Sequence, residues 1–275
     1  MIDLPARLAL ATQIAQRGSQ LARRYFDARE QLATTCKGRM DFASEADTAV
    51  ERLLRQELAT HVPGEAIVGE ELGGEAHACA WMLDPIDGTS HFLRGSPLWG
   101  VAVAYVADGE PVVGAIGYPA LGMSVAAATG IGLFINGERS RRTVPFPDVR
   151  IAAIGSNARW DITQTSALEA HLRQHQWTAT GYRCASVGMG FAALGYVDGY
   201  FEDHTHMWDI AAGMVLCREA GLIVESAASA HPGTVHVAAG TPALMQAAMP
   251  CWSRLRAGDA DRNRQDIPSG EPLRP

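Results

Sequence analysis

Four acidic positions stand at joints between elements. Glu70, with Glu71 behind it, ends Ala66-Ile67-Val68-Gly69. Asp84 and Asp87 bracket Pro85 and Ile86 directly after Ala80-Trp81-Met82-Leu83. Asp209 sits in Trp208-Asp209-Ile210-Ala211-Ala212-Gly213. Carboxylates gathered in one place repel one another and are costly to desolvate, so a cluster needs cations or protons. Oxygen-preferring divalent metals meet that need, and Mg²⁺ takes carboxylate oxygens while keeping water and substrate phosphate in its shell. Taken singly, the same residues have plainer explanations. Asp47 and Asp209 can cap helices, Asp87-Gly88 can be an ordinary turn, and Glu70-Glu71 an exposed charge run. Spacing alone leaves both readings open.

The elements that would carry these residues are legible in outline. Residues 5–30 have helical periodicity, with Leu8, Ala11, Ala15, Leu21 and Ala22 on one face. After a polar joint, Ser44 and Asp47 have capping-box spacing, and Val50, Leu53, Leu54 and Leu58 form a second helical stripe that Pro63-Gly64 stops. Residues 66–71 read as a short strand running into acid. From residue 98 the pattern becomes that of strands, with turn signals at Asp108-Gly109 and Asn136-Gly137. Pro145-Phe146-Pro147-Asp148 reads as a connection between two halves. Beyond it come a strand-like run at 149–156, a helix near 163–174, a Gly- and Ala-rich segment, and a helix from Asp209 to a stop at Gly221. Blocks of strands and blocks of helices predict α+β layers with largely antiparallel pairing. A Rossmann motif is disfavoured, because Gly130-x-Gly132 runs into a strand-like Leu133-Phe134-Ile135 where that motif needs a helix. The reading is one domain over 1–255, with halves at about 1–145 and 146–255, and a disordered polar tail over 256–275.

Composition narrows the function classes. The net charge of −7 and scattered arginines argue against a nucleic-acid backbone as the main partner. Five widely spaced cysteines with no C-x-x-C pair suit reduced thiols better than a disulfide frame or a zinc site. No signal-peptide order opens the chain, and no apolar run approaches the ~18 residues of a bilayer span. A soluble cytoplasmic protein with no membrane partner is expected.

Gly69-Glu70-Glu71, Asp84-Pro85-Ile86-Asp87-Gly88-Thr89-Ser90 and Trp208-Asp209, in that order, resemble the inositol monophosphatase family of Mg²⁺-dependent, lithium-sensitive phosphatases. Residues 41–47, 132–141 and 198–202 add to the likeness, which covers roughly residues 10–245. The resemblance implies an α-β-α-β-α layered sandwich with mixed, largely antiparallel sheets, and a homodimer. It implies metal ligation by Glu70, Asp84, Asp87 and Asp209 with the Ile86 carbonyl. Glu70 and Thr89 would activate the attacking water, with Asp47 catalytic from behind the ligands or assisting a further metal near a loop bearing Lys37. Gly88, Thr89 and Ser90 would receive the phosphate, and Arg183, Asp198 and Glu202 would face the rest of the substrate. A metal pair about 3.5–4 Å apart suits an inert phosphate monoester, since it activates water and stabilises the leaving oxygen. Inositol 1-monophosphate is the expected substrate. Histidinol phosphate is the runner-up, because residues 96–105 resemble that branch. A regulatory binding protein that keeps the fold is the reading from a different class. His91 replaces a common Asn and is expected to make a structural contact, while His204 and His206 are expected on the loop or rim.

Overall fold

The computed structural model describes residues 2–38, 41–75 and 77–265. Helix α1 (Leu4–Asp27) buries Ala11, Ile14, Ala15, Gly18, Ala22 and Phe26 at three- and four-residue steps, one apolar stripe against the core. A short antiparallel pair, β1 (Thr34–Gly38) and β2 (Asp41–Ser44), leads into α2 (Glu45–His61). The capping box forms: Ser44 Oγ accepts from Ala46 N at 3.2 Å, and Asp47 Oδ2 accepts from Ser44 N at 2.8 Å. Then come β3 (Ile67–Gly69), β4 (Ala80–Asp87) and the short helix α3 (Thr89–Arg94).

The meander follows as β5 (Gly100–Ala107), β6 (Glu110–Tyr118), β7 (Met123–Ala128), β8 (Gly132–Ile135) and β9 (Glu138–Ser140). Asp108 and Gly109 (φ +51° and +82°), like Asn136 and Gly137 (φ +50° and +83°), take the left-handed backbone that two-residue hairpin turns require. Together β3 to β9 make a seven-stranded sheet in sequence order, antiparallel except between β3 and β4.

Residues 141–150 then connect to β10 (Ile151–Ile154), α4 (Ile162–Gln174), β11 (Thr178–Thr180), α5 (Ala185–Leu194), β12 (Gly199–Thr205), α6 (Met207–Glu219), β13 (Ile223–Ala228), β14 (Val235–Gly240) and α7 (Pro242–Gln265). The second sheet runs β11-β10-β12-β14-β13, parallel on both sides of β10 and antiparallel beyond.

Five layers result. Helices α1 and α2 cover one face of the seven-stranded sheet, and α5 and α6 fill the space between the sheets. On the far side, α4 and α7 cover the five-stranded sheet. Helix α6 buries every residue from Ile210 to Cys217, as a helix packed on both sides must. The expected α-β-α-β-α sandwich is therefore the fold. One expectation changes: the backbone of 256–265 continues α7 as helix where a disordered tail was predicted, and 266–275 lie outside the described residues. Among the described residues no helix is long and apolar enough to cross a membrane.

Candidate active site

In a regular strand, side chains three residues apart face opposite sides of the sheet, so Asp84 and Asp87 should diverge. They do not, because the β4–β5 ladder is bulged between them. Asp84 pairs with Ala102 and Asp87 with Gly100, three steps on one strand against two on the other. The extra residue turns Asp87 back to the side of Asp84. The Ile86 N–H donates to Asp84 Oδ1 at 3.1 Å and fixes the turn around Pro85. Gly88 follows at φ +85°, where a Cβ would stand 2.9 Å from the Leu98 carbonyl and 3.1 Å from Cys184 Sγ. Only glycine fits, and α3 starts from it.

Glu70 arrives from the neighbouring strand, its N–H donating to the Leu83 carbonyl at 3.2 Å just before Asp84. Its turn is held from beneath by Glu51 of α2, fully buried, which accepts from Glu71 N at 2.7 Å and Leu72 N at 3.3 Å and pairs with Arg55 Nε at 2.7 Å. A Cβ on Gly69 would lie 2.2 Å from Glu51 Oε1, so that glycine is where the carboxylate enters. Asp209 is the third residue of α6, and its Oδ2 accepts from His206 N at 2.9 Å and Thr205 Oγ1 at 2.8 Å. Helix cap and member of the acidic cluster are thus one residue, and the helix dipole favours its charge.

These residues enclose one cleft. Its outer part, about 300 Å³, is lined by Glu70, Gly88, Thr89, Ser90, Arg159, Arg183, Trp208 and Asp209 among others. The inner part, about 130 Å³, adds Asp84, Ile86, Asp87, Cys184 and Glu202. The second sheet contributes at the C-terminal ends of β10 and β11. Chain leaves β10 toward α4 on the outer face and β11 toward α5 on the inner one, the crevice where open sheets bind ligands.

Electrostatically the cleft floor is under strain. Asp84, only 1% exposed, has its carboxyl raised well above the ordinary value by burial, then by Glu70, Asp87, Asp209 and Asp47. Burial and then Asp209 raise Asp87 to about 6, against the Ser186 N–H that donates to its Oδ2 at 2.5 Å. The carboxylates and the Ile86 carbonyl on this floor are hard oxygens and the excess charge is negative, which fits Mg²⁺-like cations. Among the described residues no three His, Cys, Asp or Glu side chains stand close enough together to hold a metal ion as they are placed. What converges is charge around a space, with several oxygens meanwhile accepting from backbone N–H groups.

Asp47 does not line the cleft. It is buried behind it, accepting from Thr89 Oγ1 at 3.2 Å while Thr89 also lies 3.1 Å from the Ile86 carbonyl; burial raises its carboxyl. It positions Thr89. The Lys37 side chain lies outside the described residues. Glu202 lines the inner cleft with both oxygens engaged, by Asn157 Nδ2 at 3.0 Å and Tyr200 Oη at 2.6 Å, and burial raises it to about 7. Asp198 is a correction. It accepts from Arg142 at 3.2 Å and Ile151 N at 3.0 Å, tying the inter-sheet connection to β10 instead of facing substrate.

His91 bridges Ser96 Oγ at 3.0 Å and the Tyr182 carbonyl at 2.6 Å, a structural contact between α3 and the Arg183 loop. His206 stacks on Trp208 at the rim as expected, ring centroids 4.4 Å apart, whereas His204, also expected on the loop or rim, lies buried in β12 beside Asp203. Sequence reasoning missed Glu51, Asn157 and Arg159. The last two follow the strand-like run at 149–156, and the end of a parallel strand was the signal that could have found them.

The inositol monophosphatase family profile matches residues 3–257. An inositol-1-monophosphatase of Mycobacterium leprae is 33% identical over 230 residues, 78% of this chain and 79% of that protein. A Nus factor SuhB of Xylella fastidiosa is 33% identical over 219 residues, 77% of this chain and 78% of that protein. Among solved structures, Mycobacterium tuberculosis SuhB superposes with a TM-score of 0.73 at 27% identity, covering 92% of this chain and 98% of that one. The order of acidic motifs, the five layers and these matches agree: the chain belongs to the inositol monophosphatase family.

Proposed function

We propose that the protein is a Mg²⁺-dependent hydrolase of small phosphate monoesters, with inositol 1-monophosphate the first substrate to test. One observation carries the reading: Asp84 is buried among Glu70, Asp87, Asp209 and Asp47, all of which raise its carboxyl. Such a centre is stable with its carboxylates ionised only when cations occupy it. Glu70, Asp84, Asp87, Asp209 and the Ile86 carbonyl would hold them. When bound, Mg²⁺ would lower the pKa of a coordinated water and offset phosphate charge in the transition state.

The chain's own residues do the rest. Thr89, fixed between Asp47 and the Ile86 carbonyl, aligns the attacking water, and the Glu70 carboxylate takes its proton. Gly88, Thr89 and Ser90 present first-turn N–H groups of α3 to the phosphate. As the water oxygen bonds to phosphorus the ester P–O bond breaks, and the departing alcohol oxygen regains a proton. Glu202, locked by Asn157 and Tyr200, offers its oxygens to a substrate hydroxyl.

The test is phosphate release with Mg²⁺ from myo-inositol 1-phosphate, histidinol phosphate, adenosine 3′,5′-bisphosphate and fructose 1,6-bisphosphate. Release from at least one supports the reading, and none from any overturns it. The similarity to the Xylella Nus factor favours a second reading, a binding role in transcription on the same fold. Capture of RNA polymerase, with cellular function kept by Asp87→Asn, would establish that role; loss of function in the variant would return it to the enzyme.

A further inference from the structure

The floor of the cleft is acidic, but its wall is not. Arg159 and Arg183 line both the outer and the inner part. They stand on the loops that follow β10 and β11, neighbouring parallel strands, so the topology brings both to one wall. Among the described residues neither guanidinium forms an ion pair within 4 Å. Two cations at a wall with no carboxylate partner repel each other, an arrangement that an anion relieves.

Both are held in place. Arg159 Nε donates to the His204 carbonyl at 3.0 Å, and its N–H, with that of Trp160, donates to Asn157 Oδ1 at 3.0 Å. Arg183 has φ +49°, a left-handed backbone that a long side chain rarely adopts. The fold enforces it from both sides. The Tyr182 carbonyl is gripped by His91 Nε2 at 2.6 Å, and Ser186 N is tied to Asp87 at 2.5 Å. Strain of this kind persists where surrounding contacts over-determine it, and it concentrates at ligand sites.

On the phosphatase reading, the scissile phosphate meets the acidic floor through cations and the Thr89 turn. That leaves the guanidinium pair for charge elsewhere on the substrate. We propose that Arg159 and Arg183 form a subsite for a second anionic group, phosphate or carboxylate, carried by the leaving alcohol. Arginine suits this, since its planar fork matches either anion with paired hydrogen bonds. An anionic monoester is then a better substrate than a neutral polyol phosphate such as inositol 1-phosphate. The inference rests on the proposed function and fails separately from it.

Two substrate pairs isolate the second charge: fructose 1,6-bisphosphate against fructose 1-phosphate, and 2-phosphoglycerate against glycerol 2-phosphate. Phosphate release with Mg²⁺ gives kcat/KM for each. The wild type is expected to favour the charged member of at least one pair by about tenfold or more, a single charge-assisted contact's worth. The pair that responds identifies phosphate or carboxylate as the anion. Arg159→Gln and Arg183→Gln, each checked for an unchanged melting temperature, are expected to bring that ratio toward one. Arg183→Lys recovers part of it. A wild-type ratio near one in both pairs overturns the proposal. So does an unchanged ratio in both Gln variants, which would assign the arginines to the scissile phosphate or to the loops. If no monoester is hydrolysed, the proposed function falls. Calorimetric binding of fructose 1,6-bisphosphate against fructose 1-phosphate, in wild type and both variants, then decides the subsite by the same ratio.

Discussion

Asp84 is closed off from solvent with four other carboxylates for company, and its neutralisation is the residue-scale fact on which the site turns. Asp84→Asn should make the melting temperature of cation-free protein fall less steeply as pH rises, since it removes a carboxyl whose ionisation burial and four neighbouring carboxylates oppose. It should cut Mg²⁺-dependent turnover by about a thousandfold, in keeping with the several kcal/mol a metal supplies to a charged transition state. Unchanged metal dependence would remove Asp84 from the centre. Acid titration makes the same point from the other side. Burial lifts Asp87 from 3.8 to about 6 and Glu202 from 4.5 to about 7. The folded chain therefore keeps protons there that the unfolded chain has released, so this stabilisation is full below about 4 and is lost as pH rises through 6 and 7. Thermal melts of EDTA-treated protein should show that decline, and Glu202→Gln should flatten its upper part; identical slopes would dismiss Glu202 as a source. Glu70, Asp84 and Asp87 drew notice as acid at the end of apolar runs and Asp209 as acid opening a helix, but only their joint order, matched to a known family, singled them out as one set. Asn157, Arg159 and Glu51 were not legible, since each looks ordinary in its own segment and acquires meaning from a strand distant in sequence.

At the scale of elements, the site depends on parts that serve something other than their own stability. Helix α2 sends Glu51 under the Glu70 turn, where it satisfies two backbone N–H groups and pairs with Arg55. Glu51→Ala strands both donors in a buried place and should cost about 3 kcal/mol, given ~1–3 kcal/mol per orphaned group. Urea unfolding would measure it, and a loss below about 0.5 kcal/mol would mean that water replaces the carboxylate. Gly88→Ala should be worse for activity than for stability, because the shift it forces moves the Thr89 turn itself; phosphate release beside the same urea curve separates the two. The hairpins were legible, for Asp-Gly and Asn-Gly spell their turns. The parallel arrangement about β10 was not, because its partners are separated by whole helices and periodicity is silent about crossover. The helical backbone of 256–265 was missed because its polar composition carries no apolar stripe.

For the whole molecule, the cleft lies where the two sheets face the same buried helices, with the carboxylates supplied mainly by one and the wall by the other. Cation binding is then also fold binding: Mg²⁺ at a hundred times its dissociation constant should add about 2.7 kcal/mol. A melting temperature indifferent to Mg²⁺ would show the floor to be a structural cluster of shared protons. The homodimer that the family resemblance implies remains a proposal, which sedimentation at micromolar concentration would decide. A last consequence belongs to the bulge in β4. Deleting Ile86 would give the sheet a more regular ladder, with every backbone partner in step. Asp84 and Asp87 would then stand two positions apart and still share a face, but the N–H that donates to Asp84 and the carbonyl beside Thr89 would be gone. The residue that puts the sheet out of step is the one that joins the acidic floor to the Thr89 turn, and a better-formed strand would lose that link.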